Sequence, residues 1–246
     1  MQHFCVVQHT YSEFLGLIEK QLEKRNIGFS YFRPFVGQAV PGSAVQYDAL
    51  FLLAGAWPIT DTEHCPWVSE ELDLIKIFQK VGRPVVGIGF GALEVAAAAG
   101  AESSDAPFHT ACWTTAHMTA AGRGDALAEA VDGRRVLAMY NGSARLPAGV
   151  DPLVVDDAGN WLAIRPDPLT YGMLFRPEVK PGMLEDILME AKRQAPDNMG
   201  DLIATARQEW NETQRTTDQV IVALVNELSL MRERHKPPVF SLKIEN

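Results

Sequence analysis

An apolar run, Val85-Val86-Gly87-Ile88, leads into Gly89-Phe90-Gly91 and then into an alanine-rich stretch that begins at Ala92. A Gly-x-Gly-x-Gly bend between a strand and a helix can serve three ends. It can cradle a phosphate, as dinucleotide-binding loops do, but that fingerprint needs glycines spaced G-x-G-x-x-G. Counted from Gly89, the third position is Glu94, whose charge would repel pyrophosphate. It can form a nucleophile elbow, a strained strand-to-helix turn that presents one side chain above the sheet. It can also be a tight turn without chemistry, which is the leading account of these residues taken alone.

Other reactive residue types are scattered. The three cysteines, Cys5, Cys65 and Cys112, are odd in number and form no CxxC pair. That excludes a disulfide framework and a structural zinc site, and it fits a reducing, cytoplasmic setting. Each reads as an inert small side chain. His9 closes the first apolar run and reads as a structural histidine. His64 adjoins Cys65 in sequence only, and His109 and His117 lack a partner motif. No spacing of histidines and carboxylates makes a metal motif, so neither metal nor cofactor is expected. Arg176 and Glu178 stand two apart. A cation there favours an anionic ligand such as a carboxylate, and a partly exposed ion pair is the plainer alternative.

The elements that must position these residues follow from periodicity. Phe4–Val7, Phe29–Phe32, Ala49–Leu53 and Val85–Ile88 read as short buried strands. Between them, Ser12 can cap a helix carrying Phe14, Leu15, Ile18 and Leu22, and Trp67–Lys80 carries Leu72, Ile75 and Phe78 on one face. Strands alternating with helices at this spacing imply parallel pairing through right-handed crossovers. Residues 101–180 are punctuated by glycine and proline. There Val136–Tyr140, Leu153–Val155 and Trp161–Ile164 read as antiparallel strands, with Leu174-Phe175 as a further strand end. From Pro181 the pattern turns helical through Met183, Leu184, Ile187, Leu188 and Ala191. A break at Ala195-Pro196-Asp197 follows, then helices over Leu202–Trp210 and Val220–Met231. Pro237-Pro238 opens a short, frayed polar tail.

The chain has 246 residues, 47% of them hydrophobic and 22% charged, with a formal net charge of -9. This size supports one sizeable α/β domain with an appendage. The acidic balance argues against general nucleic-acid binding, which wants a basic face. No apolar run reaches the roughly 20 residues of a membrane span, and the start has no signal-peptide pattern.

Several segments, taken in order, resemble class I glutamine amidotransferase domains. Val7-Gln8-His9 with Glu13 and Gly16, then Tyr47-Asp48-Ala49-Leu50, then Leu53-Ala54-Gly55 with Asp61 and Pro66-Trp67, are similar to the opening of that family. Gly87-Ile88-Gly89-Phe90-Gly91-Ala92 stands where the family carries Gly-Ile-Cys-Leu-Gly and a small residue. Leu146-Pro147 with Gly149 resembles a later segment. Gly172-Met173-Leu174-Phe175-Arg176-Pro177-Glu178 stands where the family carries Gly-x-Gln-Phe-His-Pro-Glu. The resemblance covers about residues 3–180.

What the resemblance implies is specific. The fold would be a flavodoxin-like three-layer α/β/α domain with a mostly parallel central sheet over 1–180, with C-terminal helices of 181–246 packed on it. The family's Cys–His–Glu triad attacks the glutamine amide, shuttles the proton and orients the histidine. By position, the cysteine is Gly89, the histidine is Arg176 and the glutamate is Glu178. Glycine offers no nucleophile, and arginine stays protonated and cannot act as a base. The glutamine after the elbow becomes Leu93. The oxyanion segment keeps Gly55 but places Ala54 before it and Ala56 after it. Gly55, Ala56, Trp57, Phe90 and Leu93 are the expected ligand pocket. A glycine at the elbow relieves roughly 1–3 kcal/mol of backbone strain. The resemblance thus implies a pseudoenzyme without cysteine-dependent glutaminase activity. It would bind a glutamine-like or carboxylate small molecule, or regulate a protein partner such as a synthase. The alternative is an active amidotransferase, or a γ-glutamyl or amide hydrolase, with a non-standard catalytic residue.

Overall fold

A computed structural model describes residues 2–190 and 196–232. Ala191, Ala195 and the Pro237-Pro238 tail of the sequence reading lie outside the described residues. In chain order the first half runs β1 (His3–Val7), α1 (Leu17–Lys24), β2 (Gly28–Phe32), β3 (Ala49–Leu52), α2 (Val68–Lys80), β4 (Val85–Ile88) and α3 (Phe90–Ala98). The middle carries β5 (Glu102–Ser104), β6 (Thr110–Thr115), β7 (His117–Met118), α4 (Ala126–Val131), β8 (Arg135–Tyr140), β9 (Ser143–Arg145), β10 (Pro152–Val155), β11 (Trp161–Asp167) and β12 (Thr170–Met173). The helices α5 (Pro181–Glu190), α6 (Met199–Gln208) and α7 (Trp210–Glu227) follow.

The main sheet has eight strands in the order β2-β1-β3-β4-β12-β11-β10-β7. Pairing is parallel from β2 through β12 and antiparallel from β12 through β7. This is the mixed α/β architecture with a large, mostly parallel sheet that the flavodoxin-like reading expects. The parallel strands β1, β3 and β4 are apolar without alternation because both of their faces are covered. All residues of β3 and β4 are buried, whereas every residue of β2, at the sheet edge, is only half-buried. The first seven residues of α3, Phe90 to Ala96, are buried on all sides.

That burial demands close approach, and two glycines provide it. A Cβ on Gly91 would meet the Leu52 carbonyl oxygen at 2.3 Å, and one on Gly87 would meet the Gly91 carbonyl oxygen at 2.2 Å. Backbone cannot yield as a flexible side-chain end can. Gly91→Ala is therefore expected to cost about 3 kcal/mol, the upper part of the usual overpacking range, measured by urea unfolding.

Three local expectations need correction. Ser12 does not cap α1. The helix begins at Leu17, after Gly16 at φ 52, because the Leu17 amide donates to the Glu178 carbonyl and Glu190 holds the Tyr11 and Ser12 amides. The last helix starts at Trp210 and ends at Glu227, ten residues ahead of the apolar run that signalled it. Leu174-Phe175 lies just beyond β12, where Phe175 bridges Ala138 of β8.

The C-terminal helices cover distinct parts of the domain. Met183, Leu184, Ile187 and Leu188 of α5 pack with Leu202 and Ala206 of α6 against Leu137 and Met139. Val220, Ile221 and Leu224 of α7 join the main core. From α7, the Thr217 hydroxyl donates to the Pro177 carbonyl at 2.6 Å, fastening the loop that carries Arg176 and Glu178.

Candidate functional site

The site gathers at the C-terminal ends of the parallel strands, where ligands collect in open α/β sheets. His9 follows β1, Gly55 follows β3, Gly89 follows β4 and Arg176 follows β12. Gly89 retains the elbow. Its φ is 57 and ψ is -110, its amide donates to the Met173 carbonyl, and its own carbonyl accepts from the Ala92 and Leu93 amides as α3 begins.

The position that the Cβ of a thiol-bearing side chain would take is crowded. A Cβ built on Gly89 would stand 2.8 Å from the Ala54 methyl and 3.4 Å from the Met139 carbonyl oxygen. Real Cβ atoms essentially never approach so closely, so the methyl at 54 and the hydrogen at 89 are a matched pair.

Arg176 is as firmly committed. Its Nε donates to Glu178 Oε1 at 2.6 Å and its Nη1 to Glu13 Oε1 at 3.4 Å, with all three residues buried. Burial acts to lower the Arg176 pKa, but the two carboxylates outweigh it and the pKa rises. Burial pushes the Glu13 pKa up, with the Glu178 charge adding to it and Arg176 opposing. Arg176 Nη2, Glu13 Oε2 and Glu178 Oε2 are left without hydrogen-bond partners. The alternative of a partly exposed ion pair therefore does not apply, since the guanidinium is buried between two anions.

A cavity of about 870 Å³ opens beside this cluster. Glu13, Gly55, Trp57, Asn141 and Arg176 are among its walls, with His9 at its floor. Trp57 stacks on His64 with ring centroids 3.6 Å apart, and Asn141 donates to the Gly55 carbonyl at 3.0 Å. Of the expected pocket residues, Gly55, Ala56 and Trp57 do line the cavity. Phe90 and Leu93 do not. Both sit in the fully buried first turn of α3, with the Phe90 ring 4.5 Å from that of His9 and beneath Gly55. Glu178 and Gly89 lie behind the wall rather than in it.

None of the three cysteines lines the cavity. Cys5 and Cys65 are buried, and burial raises the thiol pKa of Cys5 and of half-buried Cys112, keeping both protonated and unreactive.

Glu71 and Glu94 escaped the sequence reading as functional candidates, and both gather at His9. His9 Nε2 lies 3.0 Å from Glu71 Oε2, while its Nδ1 faces the Leu53 and Ala54 carbonyls at 2.9 and 3.2 Å. Carbonyl oxygens only accept, so Nδ1 carries a hydrogen. Burial acts to lower the His9 pKa, but the Glu71 carboxylate outweighs it and the pKa rises. Glu94 completes the cluster, fully buried with both oxygens unpartnered. Burial, and then Glu71, push its pKa well up. The available signal was a carboxylate inside the apolar run Leu93-Glu94-Val95-Ala96.

No protein-family model matches the chain. Over 108 residues, 43% of the chain, it is 32% identical to the glutamine amidotransferase-like protein YfeJ of Salmonella typhimurium, and that stretch spans 44% of the relative's length. A glutamine amido transferase from Methylobacillus flagellatus matches 98% of the chain and 100% of its own at TM-score 0.81 and 18% identity. A glutamine amidotransferase from Thermotoga maritima matches 92% and 98% at TM-score 0.76 and 19% identity. The chain has the fold of these glutamine amidotransferases. A GMP synthase component from Thermoplasma acidophilum shares the amidotransferase-like fold at TM-score 0.58 and 14% identity, over 95% of this chain and 98% of its own. Against this amidotransferase-like frame, the departures at Gly89 and Arg176 fall at the elbow and at the loop after β12, on either side of one cavity wall.

Proposed function

We propose that the chain is an amidotransferase-like protein that does not hydrolyse glutamine by a cysteine route and uses the retained cavity to bind a small amide-bearing molecule. The observation that carries this reading is the Ala54 methyl, 2.8 Å from where a Cβ at position 89 would stand. The site does not merely lack sulfur, because the Cβ that would carry it is crowded by the Ala54 methyl. Arg176, buried between Glu13 and Glu178, supports the same reading, since a guanidinium in that setting cannot take a proton from anything.

The ligand class follows from what the cluster leaves open. Arg176 Nη2 and Glu13 Oε2 are unpartnered and buried on cavity-lining residues, so a small side-chain rotation would present a donor and an acceptor to a ligand. An amide supplies the complement, a carbonyl oxygen and an N–H. A free carboxylate fits less well, because two carboxylates already flank the only lining guanidinium among the described residues. A glutamine-like molecule is therefore favoured over a simple anion.

Isothermal titration with glutamine is expected to show binding that weakens about tenfold in Glu13→Gln, the scale of one hydrogen bond to a charged group. Ammonia release is expected to be absent, whether or not the cysteines are alkylated. Turnover of about 1 per second or faster, within the ordinary enzymatic range, would refute the pseudoenzyme reading. Turnover lost on alkylation would support the hydrolase alternative. A synthase-type partner is a further part of the proposal. The GMP synthase component with the same fold supports it, as do the exposed Tyr11 and Val36 at the cavity edge. Co-purification of such a partner tests it.

A further inference from the structure

His9, Glu71 and Glu94 come from the end of β1, the first turn of α2 and the middle of α3. Each offers one ligand atom, and the three atoms lie within 4.8 Å of one another. Glu71 and Glu94 are completely buried. Glu71 Oε1 and both oxygens of Glu94 have no hydrogen-bond partner. Removing an ionised carboxylate from water costs several kcal/mol even after relaxation, so these groups must be neutralised by protons or by a metal ion. Protons can do this, one on His9 Nε2 facing Glu71 Oε2 and one shared between the Glu94 and Glu71 carboxyls. One divalent ion, bonded to Nε2 and to an oxygen of each glutamate, would engage all three residues.

We propose that His9, Glu71 and Glu94 form a binding site for a divalent transition-metal ion of the Zn²⁺ or Mn²⁺ class, set behind the cavity floor. One imidazole nitrogen with two carboxylates suits such ions better than Mg²⁺ or Ca²⁺, which prefer oxygen alone. Bonds of about 2.0–2.2 Å place ligand atoms about 3 Å apart at a right angle and about 4 Å apart when opposed. The His9–Glu71 separation of 3.0 Å matches the first figure, and the 4.8 Å limit needs only small side-chain rotations to meet the second. The bond from His9 Nδ1 to the Leu53 carbonyl is the outer-shell contact that fixes a histidine ligand's tautomer and orientation. Because His9 lines the cavity, water from that side can complete the coordination. The site does not rest on Arg176 and Glu13, which carry the amide-binding reading, although His9 also lines that cavity.

The test uses the untagged full chain, stripped with chelator and dialysed against micromolar Zn²⁺, Mn²⁺ or Co²⁺. Retained metal is measured by mass spectrometry, and thermal unfolding is followed with and without the ion. One ion per chain and a raised melting temperature are expected. Glutamine resembles a protonated glutamate in shape but is a poor ligand. Glu94→Gln should therefore weaken binding about 100-fold and abolish the thermal shift. Glu71→Gln serves as a second variant if the first does not fold. Wild-type protein that keeps no metal and shows no thermal shift would overturn the proposal, and the cluster would then hold only protons. Equal binding by wild type and either folded variant would also overturn it, by placing the ion elsewhere.

Discussion

Gly89→Cys is expected to lower stability by about 2–5 kcal/mol and to release no ammonia from glutamine. Two penalties add. A residue with a Cβ at φ 57 and ψ -110 is strained by roughly 1–3 kcal/mol. Its Cβ would also press on the Ala54 methyl at 2.8 Å, an overpacking cost of about 1–3 kcal/mol. Ala54→Gly removes the second penalty and leaves the first. Alone it should cost about 1 kcal/mol, the usual price of a glycine in place of alanine. A double-mutant cycle on urea unfolding should therefore show a favourable coupling of about 1–3 kcal/mol between positions 54 and 89. Additive effects would mean that the methyl does not fill the thiol's place, and the pseudoenzyme reading would lose its main support.

Arg176→Met is expected to destabilise the protein by about 3–5 kcal/mol, the range found when one partner of a buried ion pair is removed. The loss comes less from the bonds than from what stays behind, since Glu13 and Glu178 would be buried as neighbouring anions. Neutralising them in the same chain, with Glu13→Gln and Glu178→Gln, should recover most of it. The pH dependence has a definite sign. Burial already raises the Glu13 pKa beside the guanidinium, and removing the cation raises it further. A carboxyl whose folded pKa exceeds its unfolded value of about 4.3 favours the folded state at low pH and loses that contribution as pH rises. The variant should therefore be closest to wild type near pH 5 and furthest from it at pH 7–8. Comparable unfolding midpoints at both values would contradict the buried-anion account. An imidazole at position 176 could not reach both carboxylates, so Arg176→His alone should also be costly.

The sheet was legible because its central strands are buried on both faces and therefore apolar without interruption, as in Ala49 to Leu53 and Val85 to Ile88. The start of α1 was not, because Ser12 satisfies a local capping pattern while long-range bonds from Glu178 and Glu190 decide where the helix begins. The extent of α7 was hidden by its polar first half, which gains its place from tertiary contacts such as Thr217 to Pro177. The glycine at position 89 could be read directly. That Ala54 answers it could not, because the contact joins two loops far apart in sequence. Glu71 was invisible for the same reason, and Glu94, a carboxylate inside an apolar run, showed no partners. Only the packing of α2 against α3 and β1 brings them to His9. Phe90 and Leu93 were placed in the pocket by position along the chain, whereas the turn into α3 buries both.

The pairing of a methyl at 54 with a hydrogen at 89 also sets an order of events for any lineage regaining the thiol. Cysteine first is a step into a steep valley, since the chain bears strain and crowding while gaining no chemistry. Glycine at 54 first is a shallow, nearly silent step that clears the ground. Substitutions at 54 and 89 are thus epistatically coupled, and a chain with glycine at 54 is the one in which cysteine at 89 is least costly.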